Sequence, residues 1–218
     1  MPRKKKIDET DLLRKFMEHY LQFGEAPASV YQFAKENNFD EKEFYTHFGS
    51  FDGLEKEVFV AFFEQAQDLL SKSPQYKDFD SRNRLLSFYY TFFEILLANR
   101  SYVLSWWKEN ENPLKMAPKL AGLRKAFIAY FGTLGIERID LKEERLQKWS
   151  DKSLEETAWA QLFGTMKFWI EDSSPGFEKT DMLIEKSINT GFDLLDVKPL
   201  KSVFDLGKFL FKEKFHMS

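Results

Sequence analysis

The 218-residue chain contains no cysteine. That excludes a disulfide framework, a thiol nucleophile and a cysteine-ligated metal site, and it suits a reducing, cytoplasmic setting. Histidine is scarce: the three are His19, His47 and His216, and none stands at metal-ligand spacing from another. Glycine (10) and proline (7) are few. No glycine-rich phosphate loop, Walker motif or serine nucleophile elbow is present. No apolar run approaches the roughly 18 residues of a membrane span. The stretch VFVAFF at positions 58–63 is among the longest. The basic start, MPRKKKIDET, leads into no apolar stretch, so it is not expected to be a secretory signal. The carboxylates are scattered at helical spacing, as solvated faces are. Neither catalysis nor a cofactor is expected. The net charge of −3 argues against a general nucleic-acid coat but leaves room for a local basic patch.

What is abundant is phenylalanine, with 24 residues, within an aromatic share of 17%. Codon bias explains such a content, and so does an aromatic interior built around a large apolar cavity. Apolar residues recur at helical spacing along the chain, with few strand-like alternations. Positions 8–23 carry Leu12, Leu13, Phe16, Met17, Tyr20 and Leu21 on one face and stop at Gly24. Further helices are expected over 27–37, 40–46, 51–72, 81–99, 101–110, 113–131, 140–149, 153–170, 177–195 and 199–215. Ser153 and Glu156 stand as a capping box, and Ser173–Gly176 as a sharp break. The expected fold is all-α, with about ten helices.

Positions 28–48 read ASVYQFAKENNFDEKEFYTHF. A short amphipathic helix meets a turn at Asn37-Asn38-Phe39, and a second helix capped by Asp40 carries Phe44 and Tyr45. Phe33, Ala34, Phe39 and Phe44 supply the shared core of two crossed helices. Ser29, Phe33-Ala34, Phe39, Phe44-Tyr45, His47-Phe48, Ser50 and Leu54 fall in the register of a long N-terminal signature. On those residues the chain resembles the TetR family of bacterial repressors over about positions 10–60. The resemblance implies a helix-turn-helix head at 1–55 and a helical ligand-binding and dimerisation body at 56–218. It implies a homodimer whose heads meet duplex DNA and whose bodies hold a hydrophobic small molecule. The head residues that would touch DNA are Ser29, Lys42, Tyr45, Thr46 and His47. The arm Arg3, Lys4, Lys5 and Lys6 would follow phosphates or enter a minor groove.

This chain departs from the pattern in three places. The turn glycine of the family is Asn38, which tolerates a left-handed backbone. The lysine after Ser50 is Phe51, so a cation expected at the DNA backbone is missing. Between 29 and 57, Lys35, Lys42 and Lys56 face Glu36, Asp40, Glu41, Glu43, Asp52, Glu55 and Glu57, a net charge of −4. Such a head repels phosphates, although Glu and Asp can accept from cytosine in the major groove.

Positions 153–171 carry an apolar surface widened by Trp159, Phe168 and Trp169, broader than a surface helix needs. The next stretch runs Asp172-Ser173-Ser174-Pro175-Gly176-Phe177-Glu178-Lys179-Thr180. It resembles a turn in the TetR-like, lipid-binding accessory proteins of coenzyme Q biosynthesis. At 199–215 (PLKSVFDLGKFLFKEKF), Leu200, Val203, Phe204, Leu210 and Phe211 share one face. From 198 onward five lysines stand against Asp205 and Glu213. A cationic amphipathic helix of this kind either lies on an anionic membrane or folds onto its own body. Two functions therefore stand open. One is a ligand-sensing DNA-binding regulator; the other is a lipid- or isoprenoid-binding protein with a vestigial head. Both expect an apolar chamber, with Phe92, Leu96, Trp106, Trp107, Phe127, Phe131, Trp159, Phe163 and Trp169 as candidate lining.

Overall fold

Helix starts follow from capping chemistry in the computed structural model, which describes residues 6–136 and 144–196, the side chains of 144–150 and 196 excepted. Asp8 accepts from the Asp11 amide and opens α1 (Glu9–Phe23); Gly24, at φ +77°, closes it through a bond to the Tyr20 carbonyl. Ser29 caps α2 (Val30–Glu36), Asp40 caps α3 (Glu41–His47) and Ser50 caps α4 (Phe51–Ser71). Each side-chain oxygen takes an amide that a first helical turn leaves unpaired. A 3-10 turn at Pro74–Asp78 leads into α5 (Ser81–Ala98), then α6 (Arg100–Glu109), α7 (Pro113–Lys119) and α8 (Ala121–Thr133). The long α9 (Glu144–Glu171), a second 3-10 turn at Pro175–Phe177 and α10 (Glu178–Asp196) complete the described residues. They are all-helical, with ten α-helices and no strand. The expected helix over 199–215 lies outside them.

Two expectations are corrected. The single helix over 113–131 is two, α7 and α8, and Pro118 lies inside the first of them. The α7 helix ends at Lys119 and Leu120 leaves helical geometry. The separate helices expected over 140–149 and 153–170 are one, α9, so the capping box at Ser153 does not form, and the Ser153 carbonyl accepts from Thr157 Oγ1 at 2.8 Å. No glycine or proline between 144 and 153 interrupts the helix.

The chain forms two compact units, one of Met1–Ser73 with Tyr90–Phe127, the other of Pro74–Tyr89 with Ile128–Ser218. In the first, α2 packs on α3, and α1 on α4 and α6. Phe16, Phe33, Phe39, Phe44 and Leu54 are buried at the centre of its three-helix head. Farther along, the Tyr20 ring meets Tyr102 edge-on at 5.6 Å, and Phe59 meets Trp106 at 4.6 Å. In the second unit, Leu85, Phe88 and Tyr89 of α5 are buried, as are Tyr130 and Phe131 of α8, Leu162, Met166 and Trp169 of α9, and Ile184 and Ile188 of α10. There α9 and α10 pack together.

Candidate functional site

The turn between α2 and α3 is built around a left-handed residue. Asn38 sits at φ +56°, the conformation its short polar side chain tolerates. The Phe39 amide then reaches the Ala34 carbonyl at 3.0 Å. Asn37 Nδ2 donates to the Phe33 carbonyl, and Lys15 Nζ of α1 donates to Asn37 Oδ1 at 3.1 Å, so the turn is tied to the rest of the head.

This turn aims α3 outward. Phe44 and Phe48 point into the core, while Lys42, Tyr45, Thr46 and His47 are exposed, Tyr45 at 53%. The Tyr45 ring is held edge-on to Phe44 at 5.5 Å. Thr46 Oγ1 donates to the Glu43 carbonyl at 2.6 Å. His47 Nδ1 lies 4.0 Å from a Glu9 carboxylate oxygen. Ser29 is exposed, with its hydroxyl given to the cap of α2. Tyr31 of α2 is exposed at 64%. Lys6 is exposed beside the buried Ile7, and Arg3, Lys4 and Lys5 lie outside the described residues.

Negative potential dominates this head. Burial, then the charges of Glu9 and Glu64, push the Glu57 carboxyl above its ordinary range. Phe51, where the sequence suggested only a lost cation, fills a place in the core. Its ring lies 6.0 Å from Phe16, 5.5 Å from Phe33 and 5.1 Å from Phe44. One turn farther along α4, the Glu55 carboxylate is only 7% exposed. Its Oε1 accepts from the Trp106 indole and from Lys119 Nζ, each at 2.6 Å. This joins α4 to α6 and α7. Burial first, then Glu55 and Glu109, push the Tyr20 phenol up to about 12.

The candidate chamber residues divide between the units. Phe92, Leu96, Trp106, Trp107 and Phe127 belong to the first and are buried; Trp106 and Trp107 rings lie 6.4 Å apart. Phe131, Trp159, Phe163 and Trp169 belong to the second, where Phe131 and Trp169 are buried and Trp159 and Phe163 half-buried. Trp159 and Phe163 rings are 6.2 Å apart, and Trp169 meets Phe177 at 5.9 Å. A polar network crosses this unit. The Tyr89 hydroxyl donates to Gln161 Oε1, and Gln161 Nε2 donates to Ser187 Oγ at 2.9 Å and Thr165 Oγ1 at 3.3 Å. The aromatic pattern did not reveal it, because Tyr89 and Gln161 are far apart in sequence.

The turn between α9 and α10 has a specific anchor. Asp172 Oδ1 accepts from the Ser174 amide and hydroxyl, and Oδ2 from the Thr180 amide and hydroxyl, at 2.7 to 3.0 Å. Burial pushes the carboxyl up, but these four bonds outweigh it and hold Asp172 at about 2. Ser173, beside it, is exposed.

Among the described residues no group of three or more His, Asp or Glu is placed to hold a metal ion, and no helix is long and apolar enough to cross a membrane. Compared with known proteins, residues 84–210 match the family described as Tetracyclin repressor-like, C-terminal domain. No curated protein matches the chain.

Proposed function

The chain belongs to the tetracycline-repressor-like (TetR) family, the match spanning more than half its length, and on that premise we propose that it is a ligand-responsive transcriptional regulator. A homodimer presents two α3 helices to successive major grooves, and a hydrophobic ligand in the body alters their spacing. The physics is a population shift: the ligand must bind one spacing better than the other. The observation that carries the DNA half is the outward face of α3, with Lys42, Tyr45, Thr46 and His47 exposed on a head whose interior is closed. Tyr45 offers an apolar edge for a thymine methyl, Lys42 a cation for phosphate or guanine. The arm Arg3–Lys6 supplies the charge that α3 lacks. Phe92, Leu96, Trp106, Trp107 and Phe127 of the first unit, and Phe131, Trp159, Phe163 and Trp169 of the second, are the proposed ligand contacts. As a regulator of DNA the protein works in the cytoplasm.

A second reading has its own support. The net charge of −4 over 29–57 and the use of Phe51 as core rather than cation favour a head that has left DNA, with a lipid or isoprenoid carried by the body. On that reading the cationic segment 199–215 meets a membrane.

Selection from random duplex DNA by the full chain, at low and at physiological salt, separates the two. The regulator enriches a pseudo-palindrome with half-sites about one helical turn, or a multiple of it, apart. Tyr45→Ala then relaxes the consensus, while Lys42→Ala weakens all sequences alike. Absence of any binding at low salt, with the arm intact, overturns the regulator and leaves the lipid carrier.

A further inference from the structure

Two arginines in the first turn of α5 have different surroundings. Arg82 Nη2 lies 2.7 Å from Asp193 Oδ1, and its guanidinium sits 5.4 Å over the Phe192 ring. Arg84 is half-buried, yet among the described residues it has no carboxylate within ion-pair distance. Its Nη2 donates to the Lys77 main-chain carbonyl at 2.6 Å. Its Nε–H is shielded from solvent and has no acceptor. On a guanidinium these two N–H groups run side by side and match the two oxygens of one carboxylate or phosphate. Here one prong of the fork holds a carbonyl and the other has nothing to hold. A buried donor left so calls for an explanation, and a bound ion is one that fits a fork.

The cover over this fork is slight. The 3-10 turn Pro74–Asp78 buries none of its residues. Besides the Arg84–Lys77 bond, the Tyr76 hydroxyl pairs with the Tyr130 hydroxyl at 2.8 Å. Tyr130 also reaches the Arg84 carbonyl at 3.1 Å. With the Tyr130 proton given to that carbonyl, Tyr76 donates to Tyr130, and its proton is free to turn to an anion that enters. Lys77 adds an exposed ammonium beside it. Beneath lies the buried Phe88, whose ring is 4.9 Å from Tyr130.

We propose that Arg84, with Tyr76, binds a two-oxygen anionic head, a carboxylate or a phosphate, under the Pro74–Asp78 turn. The anion replaces the Lys77 carbonyl on Nη2 and fills Nε, and an apolar tail runs onto Phe88. The site lies wholly within the second unit. It deepens the ligand-binding reading and rests on it, naming the ligand as an acidic amphiphile.

The test is calorimetric titration of the full chain with octanoate, octanol and inorganic phosphate. Octanoate is expected to bind at least about tenfold tighter than octanol, as a charge-assisted bidentate pair implies. Arg84→Gln erases that preference, and Tyr76→Phe reduces it severalfold. Arg84→Lys, which keeps the charge and loses the fork, also erases it and covers the case in which Arg84→Gln fails to fold. Phosphate binding that Arg84→Gln abolishes supports the site with a free anion as its source. Equal binding of octanoate and octanol, or octanoate binding unchanged in both Arg84 variants, overturns the anion site. So does failure of both octanoate and phosphate to bind. Octanol binding that survives in every variant keeps the apolar chamber even then, so the two readings fail separately.

Discussion

Phe51 shows how one side chain can change roles within a shared pattern. The signature that the head resembles has a lysine there; the phenylalanine instead lies against Phe16, Phe33 and Phe44. Phe51→Lys is expected to lower head stability by about 2 kcal/mol, somewhat below the cost of truncating a fully buried Phe, because the ring is half-buried. Urea unfolding should show a lower midpoint at unchanged slope. Asp172 makes the complementary case, a polar residue whose worth depends on charge. Its folded pKa, about 2, lies below the ordinary 3.8. Its stabilising contribution is therefore complete above about pH 4 and is lost as pH falls through about 2. Asp172→Asn should lower the urea midpoint at pH 6, and the gap to wild type should close between pH 4 and pH 2. A gap independent of pH would assign the residue a packing role alone.

Helices here end where a local rule ends them. Gly24 and Asn38 take left-handed conformations, and Leu120 leaves helical geometry after α7. Gly176 and Phe177, at φ +62° and +60°, make two consecutive left-handed residues between α9 and α10. A phenylalanine in that region is strained, and its ring contact with Trp169 helps to hold it there. Packing between elements adds a constraint that no local rule contains. A Cβ on Gly122 of α8 would come within 2.7 Å of Val60 Cγ2 on α4. Gly122→Ala gains helix propensity of about 0.8–1.0 kcal/mol and loses more to overpacking, typically about 1–3 kcal/mol. A net loss of thermal stability is expected, relieved when Val60→Ala is added. Purely additive effects of the two changes would show that the helices do not meet there.

At the scale of the whole molecule, distant segments are joined by few polar contacts. Glu55 gathers Trp106 and Lys119 from two other helices. Lys119→Met leaves a buried carboxylate without its cation and should cost about 3–5 kcal/mol, the usual loss when one partner of a buried pair is removed. Glu55→Gln, which keeps an acceptor for the indole, should cost less; the order is readable by chemical denaturation. Assembly is the other large-scale matter. Phe168 of α9 and Met182 and Leu194 of α10 are exposed apolar side chains in the second unit. If the protein dimerises through these helices, Phe168→Glu together with Leu194→Glu should shift sedimentation from dimer to monomer with helicity unchanged. A dimer that persists would place the interface elsewhere.

The helical class, the cap at Asp40, the turn at Asn38 and the aromatic core of the head were legible in the sequence. They depend on interactions between residues two to four apart, and such spacing is visible in a string of letters. The exposed face of α3 was legible for the same reason, since helical periodicity separates Phe44 and Phe48 from Lys42, Tyr45 and Thr46. Burial of Phe92, Leu96 and Trp106 was foreseeable from hydrophobicity, but their separation from Trp159 and Phe163 into another unit was not. Only the tertiary structure decided that Phe51 is core, that Glu55 meets residues 51 and 64 positions away, and that Tyr89 meets Gln161 72 positions away. The same holds for Arg84, whose unfilled Nε is a property of everything packed around it. Which polar group meets which across such distances depends on how helices dock, and the pattern of apolar residues specifies that a face is buried without specifying against what.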